Sequence, residues 1–93
     1  MILSDFDHRR QIVLVVDDSP ESLSMVATAI EEAGMTVLVA RDGKTALELV
    51  KRIQPDVVLM DAVMPGLNGF ETCARLKSGP DMIQAPIIFM TGL

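Results

Sequence analysis

Long apolar runs, a basic excess and a second cysteine are all missing from this chain of 93 residues. The longest apolar stretch falls far short of the roughly 20 residues that a membrane-spanning helix needs. A formal net charge of −5 argues against nucleic acid as a direct partner of this segment, because phosphate contacts need a basic face. The single Cys73 cannot form an internal disulfide, and nothing else points to an oxidising compartment. Residues 1–11 carry Asp5, Asp7, Arg9 and Arg10 with no apolar h-region, so they read as a polar leader and not as a secretory signal. Internal repeats and low-complexity linkers are absent as well. The expected location is cytoplasmic, with no membrane partner.

What is present is an apolar fraction of 49%, enough to rule out a disordered tail and to support one domain with a small core. Three short apolar runs each end in an oxygen-bearing side chain. Ile12–Val16 runs into Asp17 and Asp18, Val57–Met60 into Asp61, and Ile87–Met90 into Thr91. Such β-branched runs read as parallel strands buried on both faces. Open α/β sheets place their sites at the carboxyl ends of the strands, so three carboxylates and a hydroxyl are expected on one edge.

Between the strands the sequence alternates with helices. Ser19, Pro20 and Glu21 supply an N-cap, a first helical position and a first-turn acid. Leu23, Val26, Ala27, Ile30 and Ala33 share one face before Gly34 stops the helix. Thr36–Ala40 reads as a short second strand. Asp42 can cap a helix carrying Ala46, Leu47, Leu49, Val50 and Ile53, which ends before Pro55. Residues 56–61 read as the third strand. The run Pro65-Gly66-Leu67-Asn68-Gly69 has turn chemistry, and Phe70, Cys73, Ala74 and Leu76 are expected to form the inner face of a third helix. Gly79-Pro80 breaks it, and Pro86 introduces the fourth strand.

The acidic edge has a physical consequence. Two carboxylates about 4 Å apart repel by about 4 kcal/mol at an effective dielectric near 20, and a divalent cation relieves that conflict. Mg²⁺ suits a site of few carboxylates, since it keeps several waters and completes its octahedron with phosphate oxygens. Asp61, alone at its strand end, could act as a nucleophile toward phosphorus, and Thr91 could donate to a phosphoryl oxygen. Each feature taken singly has a plain explanation in capping, turn chemistry or β propensity. Their combination at neighbouring strand ends favours a site.

Val15-Val16-Asp17-Asp18-Ser19-Pro20, then residues 59–69 (LMDAVMPGLNG), then Phe89-Met90-Thr91-Gly92 resemble the receiver domain of two-component response regulators. The similarity runs in order from about Ile12 to the last residue, which makes residues 12–93 a partial receiver domain. It implies an α/β fold of the flavodoxin-like (CheY-like) kind: a doubly wound parallel sheet, incomplete, with strand order 2-1-3-4 and the fifth strand and last helices missing. It implies a phosphoacceptor switch of a phosphorelay, served by a sensor histidine kinase or a phosphotransfer protein. By the same resemblance Asp61 is the phosphoacceptor, Asp18 a direct Mg²⁺ ligand, and Asp17 an acid holding the metal mainly through water. The backbone carbonyl of Val63 is a further ligand, and Thr91 is the switch hydroxyl. Pro65 and Gly69 match the turn after the phosphoacceptor.

The family's Lys and aromatic switch residue on a fifth strand have no counterpart before Leu93. A fragment, or a chain completed by a partner, is therefore expected, with the fourth strand as an edge open to self-association. Val63 and Leu93 should flank the site without orienting water, so a phosphoryl group is expected to be lost slowly. Two rivals stand beside this reading: an interaction module that is never phosphorylated, and an aspartyl-phosphate phosphatase. The second usually needs an Asp where Val63 stands. His8, Cys73, Lys44, Lys51, Arg52 and Lys77 are expected to carry no chemistry.

Overall fold

A computed structural model describes residues 11–90. It contains β1 (Ile12–Val16), α1 (Pro20–Glu32), β2 (Thr36–Ala40), α2 (Gly43–Val50), β3 (Val57–Asp61), α3 (Gly69–Leu76) and β4 (Ile87–Met90). The strands form one parallel sheet in the order β2-β1-β3-β4, as the family resemblance implies.

The central strand explains the layering. β1 pairs with β2 on one side and β3 on the other, and residues 13–16 are buried on both faces. Leu14 and Val16 join a core with Ala46, Val50, Met60 and Leu76 beneath α2 and α3. Val13 and Val15 join Leu23 and Ile30 beneath α1. Helices on opposite faces are what right-handed crossovers between parallel strands produce. Truncating a fully buried side chain such as Leu14 to Ala would cost about 2–5 kcal/mol.

Local chemistry sets the helix ends. Ser19 Oγ accepts the Ser22 N–H at 3.4 Å, with Pro20 opening α1. At the other end Gly34 has φ +90°, its N–H donates to Glu31 O, and Met35 N–H donates to Ile30 O. That pair of bonds is a Schellman closure, and Met35 packs against the cluster containing Ile30.

Four local expectations need correction. The inner face of α3 is formed by Gly69, Thr72 and Leu76, whereas Phe70 is 62% exposed and stacks on Phe89 with ring centroids 4.8 Å apart. The helix begins at Gly69, so its buried stripe passes through Thr72, whose hydroxyl donates to Asn68 O at 2.8 Å. Ile53 falls beyond α2 and is exposed. β3 starts at Val57; Asp56 instead accepts the Ile12 N–H at 2.7 Å through its carboxylate. β4 is not buried on both faces, because it is an edge of the described sheet, and Ile88 is 53% exposed.

Candidate functional site

The register of β1 and β3 decides the site. Val16 lies opposite Met60, so the next residues in line, Asp17 and Asp61, emerge side by side at the carboxyl edge. Asp18 follows in the turn toward α1. One carboxylate oxygen from each of Asp17, Asp18 and Asp61 lies within 4.8 Å of the others. The three carboxylates expected to converge therefore do converge.

Each acid is held by backbone. Asp17 N–H donates to Ala40 O at 3.0 Å, extending the β1–β2 ladder by one step. Its side chain is 5% exposed, and Oδ1 accepts the Ser19 N–H at 3.0 Å. Asp61 is half-buried, and its Oδ1 accepts the Val63 N–H at 3.1 Å. Val63 itself is 80% exposed, so its contribution at this edge is through its main chain. Met64 tucks into the core directly after it and pins the loop.

The loop returns tightly. Gly69 N–H donates to Ala62 O at 3.1 Å, and a Cβ on Gly69 would overlap the Asp61 carbonyl oxygen. Gly66 supplies a left-handed φ of +72°. The expected turn after Asp61 is thus built from two glycines with different jobs. Thr91, Gly92 and Leu93 lie outside the described residues, as do His8 and the rest of residues 1–10; Asp61 pairs with Met90, directly before Thr91.

Sequence reasoning missed two supports of this edge and one tie at the opposite end of the sheet. Asn68 and Glu71 form a capping box, with Glu71 N–H donating to Asn68 Oδ1 at 2.9 Å and Asn68 N–H to Glu71 Oε1 at 3.4 Å. The N-x-x-E spacing carried that signal. Buried Gly43 opens α2 beside Thr72, a contact between two helices that spacing along the chain does not reveal. Lys77, expected to be only solvated, donates from Nζ to Ala85 O and ties the end of α3 to the segment before β4.

Three oxygen donors this close, one of them buried, fit a hard cation such as Mg²⁺. Softer metals prefer nitrogen or sulfur, which this set lacks.

The family model for the response regulator receiver domain matches residues 13–93. The chain is 40% identical to PilH of Pseudomonas aeruginosa over 79 residues, covering 85% of this chain and 65% of PilH. It is 36% identical to the DNA-binding response regulator MtrA of Mycolicibacterium smegmatis over 85 residues, 91% of this chain and 36% of MtrA. Among solved structures, the N-terminal domain of a response regulator receiver protein from Methanoculleus marisnigri superposes with a TM-score of 0.83 at 34% identity. That match covers 88% of this chain and 67% of the other. The chain thus spans under two thirds of the length of both curated relatives. Sheet order, acidic edge and these matches agree, and the chain belongs to the response regulator receiver domain family, whose members are phosphoacceptor switches in two-component signalling.

Proposed function

We propose that Asp61 is the phosphoacceptor of this chain and takes its phosphoryl group from a phosphohistidine of a sensor histidine kinase or phosphotransfer protein. The convergence of Asp17, Asp18 and Asp61 within 4.8 Å carries this reading. With Oδ1 of Asp61 committed to the Val63 N–H, Oδ2 attacks phosphorus. An O–P bond forms, the P–N bond breaks, and the imidazole nitrogen leaves with the electron pair. The hydroxyl of Thr91 donates to a phosphoryl oxygen.

Asp17, Asp18, Asp61 and the Val63 carbonyl would hold Mg²⁺, which when bound offsets the negative charge gathered at this edge. Asp17 is kept in place by the Ser19 N–H, and the Gly69 turn keeps Val63 beside Asp61. In this reading the chain is a substrate of its kinase and at most assists its own phosphorylation and dephosphorylation. With Val63 where an aspartyl-phosphate phosphatase needs an Asp, turnover of phosphate esters is not expected. Residues 1–11 are a leader, residues 12–93 the receiver segment, and the location is cytoplasmic. No helix among the described residues is long and apolar enough to cross a membrane. The uncharged edge strand β4 is open to pairing with a second copy, which sedimentation at rising concentration would detect.

The test is intact-mass analysis after incubation with a small acyl phosphate and Mg²⁺. One added phosphoryl group is expected, absent in Asp61→Asn. No adduct on the folded chain, or an adduct that persists in Asp61→Asn, would overturn the assignment and leave a receiver-like interaction module.

A further inference from the structure

Asn68 is the only asparagine of the chain, and a glycine follows it. A glycine amide has no neighbouring Cβ to keep its nitrogen away from the asparagine carboxamide, so this pair is chemically reactive. Attack of Gly69 N on Asn68 Cγ forms an N–C bond, and the side-chain nitrogen leaves as ammonia with the bonding pair. The proton lost from the Gly69 amide is made up on the departing nitrogen through solvent. Water then opens the five-membered imide at either carbonyl. One opening gives aspartate; the other gives isoaspartate, whose main chain runs through the former side-chain methylene.

The folded loop ties both reacting groups elsewhere. Gly69 N–H donates to Ala62 O at 3.1 Å, and Asn68 Oδ1 accepts the Glu71 N–H at 2.9 Å. Asn68 N–H is held in turn by Glu71 Oε1. Reaction therefore waits for a local opening, in a loop whose Pro65 and Gly66 are exposed.

The two products affect the loop differently. Aspartate keeps an oxygen where the cap needs one and adds a charge that suits a helix start. Isoaspartate lengthens the main chain between positions 68 and 69 by a methylene and shortens the capping side chain. Gly69 has no room for that shift, since the Asp61 carbonyl oxygen and Ala62 Cα crowd it, and α3 is anchored through buried Thr72 and Leu76. The Gly69–Ala62 bond that holds Val63 beside Asp61 is then lost.

We propose that Asn68-Gly69 is a spontaneous modification site, gated by opening of the loop after β3, and that its isoaspartate product uncouples this loop from Asp61.

The test is mass mapping of the full chain kept in mildly alkaline buffer, folded or in urea, with fragmentation that separates aspartate from isoaspartate. Conversion at position 68 is expected in both, with isoaspartate in excess, and at a rate about tenfold or more lower in the folded chain. Glu71→Ala, at an exposed position, should raise the folded rate about threefold and leave the rate in urea unchanged. The two products of one urea incubation, separated and refolded, should differ in stability. The aspartate form should unfold near the urea midpoint of the parent chain, and the isoaspartate form at a lower one or not refold at all. No conversion in urea, equal rates folded and unfolded, an unchanged folded rate in Glu71→Ala, or equal midpoints of the two products would each overturn the proposal.

Discussion

Gly69 backs directly onto Asp61: the space where a Cβ on Gly69 would stand is taken by the Asp61 carbonyl oxygen. The loop that leaves the end of β3 therefore comes back to touch the residue it left. Its closing bond, Gly69 N–H to Ala62 O, holds Val63 against the Asp61 carboxylate. Position 69 is a matter of space, whereas Gly66 at φ +72° meets nothing within 4 Å and is a matter of backbone conformation.

Gly69→Ala should lower stability by about 1–3 kcal/mol, because the nearest obstacles are main-chain atoms, including the Ala62 Cα at 2.8 Å, and these cannot rotate away. Gly66→Ala should cost about 1 kcal/mol through its left-handed φ alone. Urea unfolding checks both, with a lower midpoint at unchanged slope as the expected result.

Gly43 and Thr72 should be energetically coupled. A Cβ on Gly43 would overlap Thr72 Oγ1 and crowd the Leu67 side chain at 3.1 Å. Gly43→Ala alone should cost about 1–3 kcal/mol, and clearly less in a Thr72→Ala background. Relief should be partial, since Leu67 stays in place. Strict additivity in a double-mutant cycle would disprove the contact.

Mg²⁺ should raise the melting temperature of the chain, and the rise should grow with the logarithm of the ion concentration above its dissociation constant. At a hundred times its dissociation constant the ion adds about 2.7 kcal/mol. Asp61→Asn and Asp18→Asn should each show a smaller rise, because each removes one oxygen donor and one charge. A scan with and without millimolar Mg²⁺ decides it, and an equal rise in all three proteins would place the ion elsewhere.

Acid should loosen the start of α2 through Asp42. The Thr45 N–H holds this carboxyl below its ordinary value, with the nearby Lys44 and Arg41 charges adding to the effect. A lowered folded value means that the stabilisation is present above the unfolded value near 3.8 and is lost as pH falls through the lower folded one. In Asp42→Asn, which keeps a cap oxygen but no charge, that part of the acid dependence should vanish. Melts between neutral pH and pH 2 would show the two profiles diverging in the acid limb.

The sequence by itself determined that there are four strands, the caps of the first two helices and the identity of the acids. Ile12–Val16 read as a strand buried on both faces, Ser19-Pro20 read as a helix start, and Asp17, Asp18 and Asp61 each sat where an apolar run ended. These are local features, set by side-chain shape and by hydrogen bonds over three or four residues. Tertiary structure decided what lies against what. Only the β1–β3 register brings Asp17 beside Asp61, and only the packing of α2 against α3 turns Thr72 inward while leaving Phe70 outside to stack on Phe89. The requirement for glycine at 43 and 69 has the same origin, because it arises from atoms distant in sequence that meet once the layers close.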